Sequence, residues 1–182
     1  TLIGALLLKR GDVEAMLCGT YGQLPRHLER VSNVIGLKPG ARIFAAMNVL
    51  MLPRHTLFIC DTYVNEDPTA EQIAEMALMA AEEVRRFGIT PKVALLSYST
   101  FGYPRGERAE YVRQAVVELD KRQVDFEYDG EMAADVALSK EAMALYPFCR
   151  LTGPANVLVM PAAHSASIST KMLQQLGGVT VV

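Results

Sequence analysis

Hydroxyl side chains, a glycine and two arginines gather in one short stretch of this sequence. It reads Ser97-Tyr98-Ser99-Thr100-Phe101-Gly102, with Arg105 and Arg108 close behind. The stretch ends an almost wholly apolar run, Lys92–Tyr98, and leads into a helical pattern. Hydroxyls donate hydrogen bonds, glycine lets backbone N–H groups come close to a ligand, and a helix start adds free N–H groups and a positive dipole end. With guanidinium groups beside them, the chemistry is anion binding, and phosphate or pyrophosphate is the natural guest. The spacing fits neither a Walker A loop nor G-x-G-x-x-G, so no nucleotide is specified. A serine-rich helix cap accounts for the same residues equally well.

Two other groups invite chemistry. Asp129-Gly130-Glu131 is followed by Asp135, and on a helix Glu131 and Asp135 would share a face at i and i+4. With Asp61 at the end of another apolar run, a divalent metal is conceivable, although capping by Asp129 and solvated or paired carboxylates is the favoured reading. Further on, Pro161-Ala162-Ala163-His164-Ser165-Ala166-Ser167 sets a histidine beside serines. Adjacent residues rarely aim both side chains at one atom, and no third orienting group is evident. A turn or helix cap with a ligand contact is therefore favoured over a nucleophile and base. His27 and His55 carry no specific signal. Cys18, Cys60 and Cys149 are too few and too scattered for a disulfide framework or a zinc site; each lies in or beside an apolar run and reads as a buried free thiol.

The elements that must position these groups alternate two periods. Residues 1–10 read as helix, Ala15–Cys18 as a short strand, and Arg26–Ile35 as helix. Arg42–Met51 and Thr56–Asp61 are apolar runs joined by a gap too short for a parallel crossover, so an antiparallel hairpin is expected. Thr69–Phe87 carries a capping box, Thr69 to Gln72, and an apolar stripe at Ile73, Ala77, Ala80, Val84 and Phe87. Then come strand Lys92–Tyr98, helix Arg108–Val124, strand Asp125–Tyr128, helix Glu131–Leu145, strand Asn156–Met160, helix Ile168–Leu176 and strand Val179–Val182. The pattern predicts an α/β fold: a layered, mostly parallel sheet with helices on both faces and an antiparallel component.

The 182 residues are 51% hydrophobic and 21% charged, with net charge −2, which excludes a disordered tail and argues against a strongly basic nucleic-acid binder. Mean hydropathy is +0.17. The Leu2–Leu8 run is too short to span a membrane and lacks the features of a signal peptide, so a cytoplasmic protein is expected, with neither nucleic acid nor membrane as partner. A leading threonine and a closing Val179–Val182 run suggest a fragment of something longer.

Several segments together resemble the phosphate acetyltransferase family. They are Phe58–Asp61, Asn65–Ala77, Phe87–Thr100, Asp129–Met132 and Gly153–Pro161, in matching order and spacing. The phrases Asp61–Pro68 and Ala80–Gly88 resemble most closely the phosphotransacetylase-like C-terminal domain of bacterial hybrid NADP-dependent malic enzymes. The resemblance implies two lobes around a cleft, as in the isocitrate/isopropylmalate dehydrogenase-like architecture, with residues 1–52 in the first lobe and 53–182 in the second. It implies acetyl-CoA or acetyl phosphate as ligand, in a cleft lined by Ser97, Ser99, Thr100, Gly102, Arg105, Asn156, His164 and Ser165. It also implies the protein's own malic enzyme domain as partner, a homodimer within a larger homo-oligomer, and NADP and a divalent metal only in the N-terminal part of a parent enzyme.

Departures from the family shape the functional expectation. The serine-rich stretch and arginine expected after Met16–Cys18 are replaced by Gly19–Arg30, where neither Arg26 nor Arg30 matches. The family's catalytic Ser-Arg motif lies downstream of Val182, so no residue present takes a catalytic role. Ala162–Ile168 replaces the Asp-x-x-x-Asn-Ile-like pattern after Pro161. The leading expectation is thus a regulatory domain that binds acetyl-CoA for a malic enzyme and lacks transferase activity. An active phosphate acetyltransferase and a structural dimerisation module are the alternatives.

Overall fold

A computed structural model describes residues 1–53 and 55–182; Arg54, in the expected hairpin turn, lies outside the described residues. The chain divides into two compact units, Thr1–Ile43 and Phe44–Val182.

The first unit holds two helices that pack on each other, α1 (Leu2–Arg10) and α2 (Leu24–Val34). Helix α1 closes on Gly11 in the left-handed conformation, with Lys9 and Arg10 complementing the dipole in its last turn. Helix α2 starts earlier than expected because Pro25 is tolerated in a first turn, where its missing N–H costs nothing. Ala15–Cys18 is not a strand: among the described residues nothing pairs with it, and Leu17 is fully exposed. An isolated strand has no partner for its backbone groups, so local apolar character alone does not make one.

The second unit is a six-stranded sheet in the order β4-β3-β5-β2-β1-β6. The strands are β1 (Met47–Met51), β2 (Thr56–Cys60), β3 (Lys92–Leu96), β4 (Glu127–Met132), β5 (Val157–Val159) and β6 (Thr180–Val181). Pairs β2–β5, β5–β3 and β3–β4 are parallel, while β1 is antiparallel to both β2 and β6. The expected antiparallel hairpin is therefore β1–β2, closed by Leu52 N–H donating to His55 O at 3.0 Å.

Both faces of the sheet are covered. On one, α3 (Ala70–Arg86) and α4 (Glu107–Arg122) lie side by side over β2, β5, β3 and β4. Phe58 of β2 reaches Phe87 at the end of α3, ring centroids 5.5 Å apart. The α3 start is the capping box anticipated from sequence: Gln72 N–H donates to Thr69 Oγ1 at 3.3 Å and Thr69 N–H to Gln72 Oε1 at 2.9 Å. Alternate residues point to the other face, where Leu57, Ile59, Ala94, Leu96 and Leu158 join a cluster with Val136, Ala137, Met143 and Ala166. These come from α5 (Ala134–Leu138), α6 (Lys140–Met143) and α7 (Ala163–Leu176).

Several boundaries differ from the sequence pattern; the apolar run Arg42–Met51, for one, is strand only from Met47. Glu131 and Met132 belong to β4, and the single helix expected over Glu131–Leu145 is the pair α5 and α6. Ser139 makes the break: it is extended, and its hydroxyl accepts from Ala142 N–H at 3.2 Å, capping α6 instead of continuing α5. Helix α7 begins at Ala163, so His164 lies in its first turn and not in a loop.

Candidate functional site at the carboxyl edge of the sheet

Strands β4, β3, β5 and β2 are mutually parallel, so their carboxyl ends share one edge. Successive strands along that edge send their chains to opposite faces: β4 to α5, β3 to α4, β5 to α7 and β2 to α3. Such divergence leaves a crevice between neighbouring connections, the usual ligand position in open α/β sheets. The Ser97–Gly102 stretch follows β3, and His164 and Ser165 follow β5, so both groups stand at this edge on adjacent strands.

The loop after β3 is wrapped around a carboxylate of the protein itself. Glu131 interrupts the β3–β4 register, in which Leu95 pairs with Gly130 and Leu96 with Met132. A bulge of this kind re-aims a side chain. Here Glu131 turns inward and is fully buried. Its Oε1 accepts from Ser99 Oγ at 2.8 Å, from Gly102 N–H at 2.8 Å and from Arg113 Nη2 at 3.0 Å, while Oε2 accepts from Arg113 Nε at 3.0 Å. Its backbone carbonyl accepts from Phe101 N–H at 2.8 Å. Burial pushes the Glu131 carboxyl pKa up, but Arg113, Ser99 and the Gly102 N–H outweigh it and hold the group below its ordinary value. The bond to Glu131 in turn raises the Arg113 pKa. Gly130 is required beside this bulge: it has φ +154°, and a Cβ there would lie 2.6 Å from Leu95 O.

Most of the loop's expected anion donors are thus engaged. Ser99 is wholly buried on Glu131, Thr100 Oγ1 accepts from Ala133 N–H at 3.0 Å, and Thr100 N–H donates to Tyr103 O at 2.9 Å. Ser97 Oγ accepts a long bond from Ser99 N–H, 3.4 Å. Arg108 pairs with Asp67 at the surface. Arg105 is exposed and edges a groove of about 590 Å³ with Phe101, Gly102, Gly106, Glu107, Glu110 and Arg113.

At β5, the first backbone bond within α7 is Ala166 N–H to Ala162 O. The helix's own ladder therefore leaves the N–H groups of His164 and Ser165 free, as at any helix start. Ala163 N–H donates to Asn65 O at 3.2 Å, tying this turn to the loop after β2. Asn156 is elsewhere: its Oδ1 accepts from Lys92 N–H at 2.7 Å and its Nδ2 donates to Thr90 O at 2.8 Å, at the amino ends of the strands. The structure therefore brings Ser97, Ser99, Thr100, Gly102, Arg105, His164 and Ser165 to one edge and leaves Asn156 at the other.

The acidic residues do not converge. Glu131 and Asp135 share no helix face, because Glu131 is in β4 while Asp135 lies exposed in α5. Asp61 is buried, and Oδ1 accepts from the N–H groups of Ala46, Tyr63 and Val64 while Oδ2 accepts from Asn65 N–H at 2.7 Å. Asp129 accepts from Gly130 N–H and from Arg150 N–H at 2.9 and 2.7 Å. Among the described residues no group of three or more His, Cys, Asp or Glu side chains is placed to hold a metal ion. Each carboxylate instead organises a turn. The helical pattern expected from Glu131 onward gives way to strand there, and Gly130 before it is the residue in the sequence that signals a close backbone approach.

In the first unit, Cys18, Thr20, Tyr21, His27 and Arg30 edge a groove. His27 holds the loop, with Nδ1 at 2.5 Å from Thr1 Oγ1 and Nε2 at 2.9 Å from Tyr21 O. Of the three thiols expected to be buried, Cys18 is exposed, because its apolar run joins no sheet, and Cys149 is half-buried; the Cys60 thiol, at the end of β2, is buried, and its pKa is pushed up by that burial and by neighbouring Asp61.

The fold and the sequence have close counterparts. A NADP-dependent malic enzyme of Rhizobium meliloti (strain 1021) is 53% identical over 98% of this chain, which spans 23% of that enzyme. A phosphate acetyltransferase of Haemophilus influenzae is 30% identical over 96% of the chain, which spans 25% of it. Among solved structures, a phosphotransacetylase from Streptococcus pyogenes matches 99% of this chain and 56% of its own, with 30% identity and a TM-score of 0.91. The chain thus spans about a quarter of the length of these sequence relatives. Residues 1–182 match the family described as phosphate acetyl/butaryl transferase throughout, and the chain belongs to that family.

Proposed function

We propose that this chain is the phosphotransacetylase-like regulatory domain of a NADP-dependent malic enzyme, which converts malate to pyruvate and CO2. It binds acetyl-CoA as an effector and is itself without transferase activity. The observation that carries the reading is the strong similarity, over nearly the whole chain, to malic enzymes most of whose length lies outside the matched segment. The loss of transferase activity is supported by the Gly19–Arg30 segment, which lacks the serine-rich stretch of the stand-alone transferases.

In this reading the ligand's phosphates meet Arg105, the His164 and Ser165 N–H groups and the outward edges of Ser97 and Thr100. Asn156, committed to the backbone at the opposite edge, stays outside the site. Acetyl-CoA can alter malate turnover only through different affinities for the two activity states, a coupling of about 1–3 kcal/mol in typical allosteric proteins. NADP and the divalent metal serve the malic enzyme part, and the domain pairs with a second copy inside a larger homo-oligomer.

The test uses the full-length enzyme. Calorimetric titration with acetyl-CoA is expected to show saturable binding, and the same ligand to shift malate-dependent NADP reduction. Acetyl phosphate plus CoA should yield no acetyl-CoA. Steady production of acetyl-CoA would make the chain a working transferase, a reading favoured by its likeness to the Haemophilus influenzae and Streptococcus pyogenes proteins. Absence of binding at millimolar ligand would leave a structural module.

A further inference from the structure

Glu131 is a full negative charge placed where no solvent reaches it, yet its carboxylate bonds run to the loop and to α4 rather than to neighbouring strands. Three donors of different origin converge on it: the Ser99 hydroxyl, the Gly102 N–H and the Arg113 guanidinium. The Arg113 fork is two-pronged, which fixes direction as well as distance. Arg113 also pairs with Glu110 one turn back on α4. The backbone carbonyl of Glu131 takes Phe101 N–H, so the same residue grips the loop at Ser99, Phe101 and Gly102. These residues lead directly to Arg105 at the groove and lie beside the β5–α7 turn along the edge.

We propose that Glu131 is a positioning residue for the carboxyl-edge crevice: an internal carboxylate that occupies the loop's anion cradle and thereby sets the loop's shape. Its influence on a ligand is exerted through Ser99, Gly102 and Arg113, and the link to acetyl-CoA rests on the regulatory reading above. With the carboxylate removed, Arg113 keeps Glu110 and reaches solvent, but the Gly102 N–H and the wholly buried Ser99 hydroxyl lose their acceptor, and the loop must reopen to water to satisfy Ser99.

The test compares full-length wild type with Glu131→Ala, using acetate as the probe. The substitution deletes a methylene and a carboxylate, and acetate carries that same acceptor group at that size. Hydrogen exchange over residues 97–103 is expected to speed up about tenfold or more in the variant. Acetate at tens of millimolar should restore slow exchange saturably in Glu131→Ala, and change neither wild type nor Glu131→Gln, where the space stays filled. Acetyl-CoA affinity should fall about tenfold in Glu131→Ala and recover with acetate. Should Glu131→Ala not fold, Ser99→Ala removes one donor alone and should accelerate the same segment more modestly. Unchanged exchange, no response to acetate, or a loosened loop with unaltered acetyl-CoA affinity would each overturn the proposal. A wild-type enzyme that ignores acetyl-CoA would sink the regulatory reading instead, while the exchange and acetate measurements still decide whether Glu131 holds the loop.

Discussion

The residue that organises this edge is the one whose environment changed most between sequence and structure. Glu131 has its carboxyl pKa lowered on folding, so its stabilising contribution is complete above the ordinary glutamate range and is lost as pH falls through the lowered folded value. Arg113 stays protonated throughout, and Glu110, which shares it, is the other carboxylate facing the pair. Denaturation midpoints are therefore expected to fall on acidification below about pH 4.5, and to fall less in Glu131→Gln, which has already lost the charge. At neutral pH Glu131→Ala should cost about 2 kcal/mol, since it leaves the buried Ser99 hydroxyl and the Gly102 N–H without an acceptor. Gly130→Ala forces a Cβ to 2.6 Å from Leu95 O, and chemical denaturation should show a loss of about 2 kcal/mol. The Asp-Gly-Glu trio was visible in the sequence as chemistry, but its use was not. A bulge is a property of two strands, and only the paired register tells that Glu131 is the residue left over. Ser99 and Thr100 were legible as donors; the acceptor that claims Ser99 lies 32 residues away.

Among the elements, α3 was readable nearly to the residue because its signals are local: a capping box and a stripe of apolar side chains. Thr69→Ala removes the cap acceptor and is expected to lower stability by about 1 kcal/mol in urea denaturation. Helix α7 carries the opposite case. The Thr170 hydroxyl is buried with no hydrogen-bond partner among the described residues. Thr170→Val keeps the shape and discards the unpaired group, so its thermal midpoint should equal or exceed that of wild type. A clear drop would show that the hydroxyl has a partner in solution. Elements whose ends depend on distant contacts were less legible. Ala15–Cys18 has strand-like composition and, among the described residues, no strand that pairs with it, and the helix expected over Glu131–Leu145 loses its start to the sheet and its middle to Ser139.

For the whole molecule, alternating helices and strands announced a mostly parallel sheet with an antiparallel part, and β1, antiparallel to β2 and β6, supplies that part. The order β4-β3-β5-β2-β1-β6 was not legible, because placing β5 between β3 and β2 depends on pairings across the chain. That order is what brings the segments after β3 and β5 side by side, so their adjacency is readable from the structure alone. No helix among the described residues is long and apolar enough to cross a membrane. The three thiols, finally, differ in a way that gives the molecule a built-in clock. Cys18 is exposed, Cys149 half-buried, and Cys60 is sealed in the sheet with its thiolate form strongly disfavoured. An alkylating reagent should modify Cys18 at once and reach Cys60 only when β2 leaves its neighbours. Mass spectrometry of Cys60 modification against time would then count openings of the sheet, and each ligand or substitution discussed above would register as a change in its rate.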